Sequence, residues 1–279
     1  MNDILKEIAD HARERVKLDM EKIPLLDMKG AAMELKLDEV PSGMPDYACG
    51  EFSFYQALSK PRLALICEIK KASPSKGVIA EDFDYLMIAE EYESAGADAI
   101  SVLTEPKYFL GDDSYLKEIS QAVDLPCLRK DFVVSEYQIY QAKVLGASAI
   151  LLIVSLLDES TLSHYIHLAK SLRMDALVEC HDAREIYIAL SAGAKIVGVN
   201  NRDLKTFEVD TKRAARYRSL VPENILYVSE SGIWNAQDIT KALQINADAV
   251  LIGEALMRSN NKTRLMNDWT SWLDLIYRL

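Results

Sequence analysis

Paired cysteines are the first feature that this sequence lacks. It has only four cysteines in 279 residues, and none of them forms a Cys-x-x-Cys pair. They are scattered along the chain, at Cys49, Cys67, Cys127 and Cys180. Paired spacing is typical of disulfide frameworks and of structural zinc sites. We therefore expect free thiols in a reducing compartment, which predicts a cytoplasmic protein.

Long apolar runs and an excess of basic residues are absent as well. No stretch has the length and the freedom from charge that crossing a bilayer requires. Met1–Lys6 lacks the basic start and apolar core of a secretion signal. Acidic residues outnumber basic ones by 43 to 32, which gives a formal net charge of −11. This charge argues against nucleic acid or an anionic membrane surface as the main partner.

The usual signals for a cofactor or a metal are also missing. No Gly-x-Gly-x-x-Gly motif follows the first predicted strand, so the main indication of a dinucleotide cofactor is lacking. His164 and His167 could share one helix face, but they lack a third ligand and are better interpreted as surface residues. We expect neither a cofactor nor a metal.

The sequence does contain a short apolar strand that recurs eight times. Enough chain for a crossover helix separates each strand from the next. Almost half of the residues are hydrophobic, so a large core is available. Eight βα units in one chain close most economically into an α/β fold of the (β/α)8 type, the TIM barrel. The predicted strands begin near Leu63, Ala99, Pro126, Ala149, Asp175, Ile196, Ile225 and Ala249.

A second repeat supports the count of strands. A small residue followed by alanine recurs before the second, fourth, sixth and eighth strands, at Gly96, Gly146, Gly193 and Asn246. Each of these positions suits a helix that ends in a left-handed residue. Glycine is common in every helix-to-strand loop, but its recurrence in alternate units favours an ancient repeat of two βα units.

Helices are predicted both before and after the barrel in the chain. Helical spacing of apolar residues begins at Ile4, a second helix is expected over residues 23–37, and a third over 52–58. Because their apolar faces need a surface to cover them, we predict one domain in which residues 1–60 form an extension packed on the barrel of residues 61–279. A C-terminal helix carrying Trp269 should cover the barrel's last side. A dimer surface there is the alternative to a monomer.

Charged or polar residues end six of the eight predicted strands. In a parallel barrel the active site lies at these C-terminal strand ends. Burying charge is costly and a stable barrel needs none of it, so six such ends on one rim indicate function. A group of mixed charges drives pKa values apart, as acid–base chemistry near neutral pH requires. These ends carry Glu68 and Lys70, Lys130, Glu179, Asn200 and Arg202, Glu230, and Glu254.

Three features at this rim have simpler explanations. Glu68 and Lys70 point to one face of the first strand, about 6–7 Å apart. Their simpler explanation is a structural ion pair. His181 could line the rim beside Glu179, although an ordinary loop histidine is the simpler interpretation. Glycine after the last two strands could merely relieve crowding.

The loops after the first, seventh and eighth strands suit a phosphate. Ser231, Gly232 and Gly253 leave backbone N–H groups open to close approach, and a following helix N-terminus would favour an anion. The hydroxyl of Ser73 or Ser231 is a further donor. This is the usual position of a substrate phosphate in such barrels.

Together these residues resemble the indole-3-glycerol phosphate synthase family. The resemblance runs through essentially the whole chain, and the helical extension is also similar to that of the family. Residues 28–50 are the least similar part. The matching segments, in the order of the family, are residues 68–77, 103–111, 128–132, 178–179, 198–204 and 229–233.

The resemblance implies a substrate and residue roles. The substrate would be 1-(2-carboxyphenylamino)-1-deoxyribulose 5-phosphate, closed to indole-3-glycerol phosphate with loss of carbon dioxide and water in tryptophan biosynthesis. Lys130 would be the general acid for ring closure and Glu179 the general base for dehydration. Lys70, held by Glu68, would contact the substrate carboxylate, and which lysine donates which proton stays open. The remaining implied roles are orientation of the reacting chain (Asn200, Glu230), support of the rim (Arg202) and apolar walls for the ring (Phe109, Phe132).

Two other functions fit part of this pattern. An isomerase of a related aminosugar phosphate would keep the phosphate loops, but it would not need Lys70, Lys130 and Glu179 together. A ligand-binding barrel without catalysis would have no reason to keep an acid and a base.

Overall fold

The computed structural model describes residues 4–38, 53–203 and 206–277 of the chain. Three helices precede the first strand: α1 (Ile4–Lys22), α2 (Leu25–Asp38) and α3 (Ser53–Leu58). Cys49 lies outside the described residues. The predicted boundary between extension and barrel at residue 60 stays a prediction.

Eight parallel strands close into a barrel, which confirms the predicted fold. Each observed strand begins within one residue of its predicted start. The first strand closes the ring by pairing with both the second and the eighth. The strands are β1 (Ala64–Ile69), β2 (Ala99–Leu103), β3 (Cys127–Lys130), β4 (Ala149–Ile153), β5 (Asp175–Cys180), β6 (Ile196–Asn200), β7 (Leu226–Glu230) and β8 (Ala249–Ile252).

Helices follow the strands and cover the outside of the barrel. An Asp, Ser or Asn side chain accepts a backbone N–H at the start of most of them, as good N-caps do. Four of the helices that lead into a strand end in the predicted left-handed residues. Their φ angles are 87°, 86°, 95° and 53° at Gly96, Gly146, Gly193 and Asn246. The helices are α4 (Tyr85–Ser94), α5 (Asp113–Ala122), α6 (Glu136–Val144), α7 (Glu159–Ser171), α8 (Ala183–Ser191), α9 (Arg213–Tyr217), α10 (Ala236–Gln244), α11 (Glu254–Arg258) and α12 (Lys262–Tyr277).

The side chains inside the barrel are arranged in layers. Alternation along each strand directs Ile66, Leu128 and Leu177 inward, where they are fully buried with their neighbours. Their outward-facing neighbours, such as Leu65 and Val178, pack under the helices. One step further along the strands the inward positions change from apolar to charged. The packed layers therefore support a polar layer at the C-terminal end of the barrel.

The N-terminal helices cover opposite ends of the barrel. Helix α1 packs Ile8 and Ala12 near the C-terminal rim, and its Arg15 guanidinium donates to Asp131 at 2.6 Å. Helix α3 buries Phe54 at the other end. These contacts give the apolar faces of both helices a surface to cover them.

Helix α12 packs on the barrel's outer helices, with Trp269 and Leu273 buried. In the described part of the chain, no helix combines the length and the apolarity needed to cross a membrane.

Candidate active site

A cavity opens at the C-terminal ends of the strands. It encloses about 1020 Å³ of space, part of it open to solvent. All the residues that the sequence nominated line it: Glu68, Lys70, Ser73, Phe109, Lys130, Phe132, Glu179, Asn200, Arg202, Glu230, Ser231, Gly232 and Gly253. The barrel thus brings together residues that are far apart in the chain.

Glu68 and Lys70 form a direct ion pair inside the cavity. The Glu68 carboxyl is buried, and burial alone would raise its pKa, but Lys70 and then Lys130 outweigh that effect and lower the pKa. Glu68 is therefore ionised at neutral pH. The loop that follows folds back as a short antiparallel ribbon, Ala72–Ser73 against Gly77–Val78, which brings Ser73 to the cavity wall.

Lys130 lies between two buried carboxyl groups. Its Nζ is 3.4 Å from Glu179 Oε2 and 3.8 Å from Glu230 Oε2. Burial alone would lower the pKa of Lys130, but the carboxylates of Glu179, Glu230 and Glu68 outweigh that effect and raise it. Lys130 is therefore a largely enclosed ammonium, with its side chain 15% exposed, that lines the cavity in the protonated form a general acid requires.

Glu179 and Glu230 come close because the strand between them carries glycine. Gly198 on β6 is paired with Glu179 on one side, and a Cβ at this position would collide with Glu230 Oε1. Burial and then the charge of Glu179 raise the pKa of Glu230 well above its usual range. Burial would raise the pKa of Glu179 as well, but Lys130 and His181 lower it. The pair therefore holds an ionised Glu179 beside a neutral Glu230.

His181 contacts Glu179, so its interpretation as an ordinary loop histidine was incomplete. Its Nε2 is 3.4 Å from Glu179 Oε1, and its Nδ1 is 3.2 Å from Glu185 Oε2. Burial alone would lower the pKa of His181, but these two carboxylates raise it to about 10. The signal in the sequence was the two-residue step from Glu179, because alternation directs both side chains to one face.

Arg202 is held at the rim by three contacts. Its backbone N–H donates to Asn200 Oδ1 at 2.9 Å, and its guanidinium donates to the Phe207 carbonyl at 3.2 Å and to Glu254 Oε2 at 3.3 Å. Glu254, which the sequence grouped with the rim charges, is thus the partner of Arg202. The arrangement presents a half-buried cation to the cavity mouth.

The two glycine sites differ in what they accommodate. Ser231 and Gly232 are consecutive left-handed residues, with φ of 65° and 84°, a conformation that exposes backbone N–H groups. At Gly253 a Cβ would collide with Glu68 Oε1 and come within 3.1 Å of Lys70 Nζ. Gly253 therefore makes room for the ion pair, and the helix that follows it, α11, is only five residues long.

Apolar residues form one wall of the cavity. The rings of Phe109 and Phe132 are 5.9 Å apart between centroids and inclined by 37°. Leu151 and Ile153 extend this wall along β4, one of the two strands to which the sequence assigned no charged end. Sequence reasoning missed them because it searched strand ends for charge, although their alternation on β4 was visible. An apolar wall opposite buried charges suits a ligand with an aromatic ring and anionic groups.

These features define the class of the protein. It is a parallel-barrel enzyme with an acid–base site, since an ammonium, a carboxylate and a neutral carboxylic acid meet at one cavity. The profile described as indole-3-glycerol phosphate synthase matches residues 5–268. The chain belongs to the indole-3-glycerol phosphate synthase family, and it is a carboxy-lyase.

Curated relatives agree with this assignment. The indole-3-glycerol phosphate synthase of Ruminiclostridium cellulolyticum is 57% identical over 210 residues, which cover 75% of this chain and 81% of the relative. That of Lachnoclostridium phytofermentans is 43% identical over 270 residues, 97% of this chain and 100% of the relative. The reaction converts 1-(2-carboxyphenylamino)-1-deoxyribulose 5-phosphate to indole-3-glycerol phosphate, a step of tryptophan biosynthesis.

Solved structures at low identity support the fold alone. A 3-hexulose-6-phosphate synthase superposes with a TM-score of 0.62 at 15% identity, covering 76% of this chain and all of that chain. A protein titled KGPDC, from Streptococcus mutans, superposes with a TM-score of 0.60 at 12% identity, covering 77% of this chain and 99% of that chain.

Proposed function

We propose that this cavity carries out the family's ring closure with Lys130 as general acid and Glu179 as general base. The observation that carries the proposal is the position of the Lys130 ammonium in the cavity lining, 3.4 Å from an ionised carboxylate. An acid and a base of this kind are what the chemistry requires.

The proton balance of the reaction defines these requirements. The aromatic carbon that bears the carboxylate bonds to the ketone carbon, and the ketone oxygen takes up one proton. Carbon dioxide then leaves, and its bonding electrons restore the aromatic ring. The new hydroxyl leaves as water with a second proton, while a base removes one proton from the methylene carbon next to nitrogen. The site must therefore donate two protons and accept one.

The charges around Lys130 link its role to that of Glu179. Lys130 contributes to keeping the pKa of Glu179 low. Once Lys130 gives its proton to the ketone oxygen, that cation is lost and the pKa of Glu179 rises. Donation by Lys130 thus makes Glu179 a better base for the dehydration that follows. Lys70, paired with Glu68, is suited to meet the substrate carboxylate and is the second candidate donor.

The remaining residues suit binding. Phe109 and Phe132 would hold the aromatic ring, and Asn200 with Glu230 would orient the reacting chain between ring and phosphate. Arg202 would support the rim. Ser73, Ser231, Gly232 and Gly253 would bind the phosphate, a role supported by their place in the cavity lining and by the left-handed backbone at Ser231 and Gly232.

Glu179→Gln tests the role of the base. The amide keeps shape and hydrogen bonding but cannot accept a proton, so turnover measured by indole fluorescence should fall about 100-fold or more. The slow step should move to loss of water, and quenched reactions should contain a cyclised, decarboxylated intermediate. Glu159→Gln on the exposed start of α7 is the matched control. An unchanged rate and pH profile would remove Glu179 from the mechanism.

Ser231→Ala tests the phosphate site. Gly253→Val is unsuitable, because its side chain would also displace the Glu68–Lys70 pair. Loss of the Ser231 hydroxyl should weaken inorganic phosphate binding about 5- to 10-fold, or roughly 1–1.4 kcal/mol, and raise KM with little change in kcat. Ser171→Ala on α7 is the control. Equal phosphate affinity in parent and variant would place the phosphate elsewhere.

We infer that the enzyme works as a monomer in the cytoplasm. Trp269 and Leu273 of α12 are already buried against the chain's own helices, which supports a monomer. Among the described cysteines, Cys67, Cys127 and Cys180 are free and buried, which supports a reducing compartment. Light scattering on a sizing column and cell fractionation test the two statements, and a dimer or a secreted protein would contradict them.

A further inference from the structure

The two oxygens of the Glu179 carboxylate each face a different cation. Oε2 faces Lys130 Nζ at 3.4 Å, and Oε1 faces His181 Nε2 at 3.4 Å. Glu179 is buried, and the His181 side chain is only 16% exposed. The imidazole therefore lies at the edge of the site and is directed into it.

A second carboxylate fixes the imidazole from behind. Glu185 Oε2 lies 3.2 Å from His181 Nδ1 and accepts the His181 backbone N–H at 2.7 Å. The charged groups that face His181 are Glu179 from β5 and Glu185 from α8, with Lys130 of β3 and Glu230 of β7 beyond Glu179. Nδ1 thus contacts Glu185 within hydrogen-bonding distance, whereas Nε2 is buried near Glu179 without a hydrogen-bond partner among the described residues.

We propose that His181, held by Glu185, is a positioning residue that keeps Glu179 ionised and correctly oriented while Lys130 donates its proton to the substrate. This inference rests on the proposed role of Glu179 as the base. The physical reason is the short distance between acid and base. A carboxylate 3.4 Å from an ammonium in a buried site can take the ammonium's proton itself, which would neutralise both groups.

A second, non-transferring cation on Glu179 opposes that loss. With the His181 imidazolium on Oε1, the carboxylate is stabilised even when Lys130 becomes neutral. The two carboxylates around His181 raise its pKa to about 10 against the opposing effect of burial, so the imidazole is charged throughout the neutral range. The proton of Lys130 is thereby directed to the ketone oxygen.

A purely local role for Glu185 explains less. Glu185 is the third residue of α8, whose N-cap Asp182 accepts the Glu185 backbone N–H at 2.9 Å. Glu185 could therefore serve only as part of a cap for this helix. A cap explains its bond to the His181 backbone, but it does not explain an imidazole placed 3.2 Å from one carboxylate and 3.4 Å from another.

The test compares His181→Gln with His181→Leu. Gln keeps an N–H donor near the position of Nε2 but removes the charge, whereas Leu removes both. We expect kcat to fall about tenfold or more in His181→Gln and further in His181→Leu, with KM within about threefold of the parent. The acid limb of the kcat–pH profile should move up by about 0.5 unit or more, because Glu179 becomes easier to protonate.

Three further measurements make the outcome decisive. His167→Gln, an exposed histidine on α7, should match the parent, and circular dichroism should show that all variants fold. Nitrogen-15 NMR of histidine-labelled protein should show a His181 imidazolium that persists above about pH 8. A neutral His181 at about pH 7 would overturn the inference.

Comparison with Glu179→Gln separates this inference from the proposed function. If Glu179→Gln is inactive while both His181 variants keep the parent's kcat and acid limb, His181 has no positioning role and the role of Glu179 stands. If Glu179→Gln is itself active, the proposed base is wrong and the inference fails with it.

Discussion

Both ends of the barrel bury carboxylates, but they use them differently. At the N-terminal end Asp98 accepts bonds from the Arg62 guanidinium at 2.8 and 2.9 Å, from Lys60 at 2.5 Å and from the Leu65 backbone N–H at 2.9 Å. At the C-terminal end, no donor among the described residues lies within hydrogen-bonding distance of either oxygen of Glu230.

The difference shows what separates a structural carboxylate from a functional one. Asp98 ties the segment before β1 to the start of β2, and its bonds leave little freedom. Glu230 and Glu179 share their surroundings with Lys130 and face a cavity, so a proton has somewhere to go. Burial of charge occurs at both ends. The distinguishing features are open space beside the group and partners that can exchange protons.

Lys130→Met should give the largest effect, and it acts only at the C-terminal end. We expect kcat to fall about 100- to 10,000-fold because the general acid is lost. Stability should fall as well, because Met keeps most of the side-chain volume but leaves the Glu179 and Glu68 carboxylates without this cation. Steady-state kinetics and thermal melts check both statements, with Lys170→Met on the exposed end of α7 as control. A kcat within about threefold of the parent would exclude Lys130 as the donor.

The sequence was sufficient to predict the barrel because its signals are local. Each strand is a short apolar run, four of the preceding helix ends have a Gly or Asn at a fixed place, and alternation then assigns the inward face. The same alternation predicts the charged layer, since Glu68, Lys130, Glu179 and Glu230 each follow an inward apolar residue by two positions.

The remaining features depend on contacts between distant parts of the chain. The neutral state of Glu230 follows from Glu179 on β5 and from the missing side chain at Gly198 on β6, and neither is visible from β7 alone. The need for glycine at position 253 arises from the ion pair on β1. The bond from Arg15 to Asp131 depends on where α1 crosses the rim. Local patterns carry no information on such distances.

Asp98→Ala tests the structural role of the carboxylate at the N-terminal end. The variant removes the acceptor for Arg62, Lys60 and the Leu65 N–H, so the free energy of unfolding should fall by about 3 kcal/mol. Urea unfolding measures this loss, and kcat of the folded variant at low temperature should equal that of the parent. Unchanged stability would show that these contacts contribute nothing, and a large fall in kcat would show that the two ends are coupled.

Glu230→Gln should separate activity from stability at the C-terminal end. Because the pKa of Glu230 is raised, the folded protein is destabilised as pH rises above about 4, where the unfolded carboxyl ionises. Gln resembles the neutral acid and lacks this cost, so the variant should be at least as stable as the parent at pH 7. We expect kcat to fall about tenfold or more, because the amide cannot exchange a proton during the reaction as the neutral acid can. Lost stability with full activity would reverse the assignment.

Asp175→Asn is the counterpart of Glu230→Gln at the other end, and its effect should be the smallest. Asp175 is buried under α3, where it accepts the Tyr55 backbone N–H at 2.8 Å. Burial raises its pKa to about 7, although the bond from Tyr55 opposes the shift.

The direction of the pH dependence follows from that shift. The unfolded chain releases this proton near pH 4 and the folded chain near pH 7, so stability contributed by Asp175 is present below about pH 4 and is lost as pH rises to about 7.

Asn keeps an oxygen that can accept the Tyr55 N–H, and its side chain cannot ionise. The variant should therefore gain on the parent as pH rises from about 4 to about 8, by up to the roughly 4 kcal/mol of a full three-unit shift. Because its amide N–H groups need acceptors at every pH, the variant should be less stable than the parent near pH 4 and exceed it by only about 1 kcal/mol near pH 8. Urea unfolding at both pH values measures it, with the exposed Asp268→Asn of α12 as control. Since Asp175 lies at the end opposite the cavity, kcat should not change. A stability difference that is the same at both pH values would contradict the raised pKa, and a changed kcat would mean that the N-terminal end of the barrel takes part in catalysis.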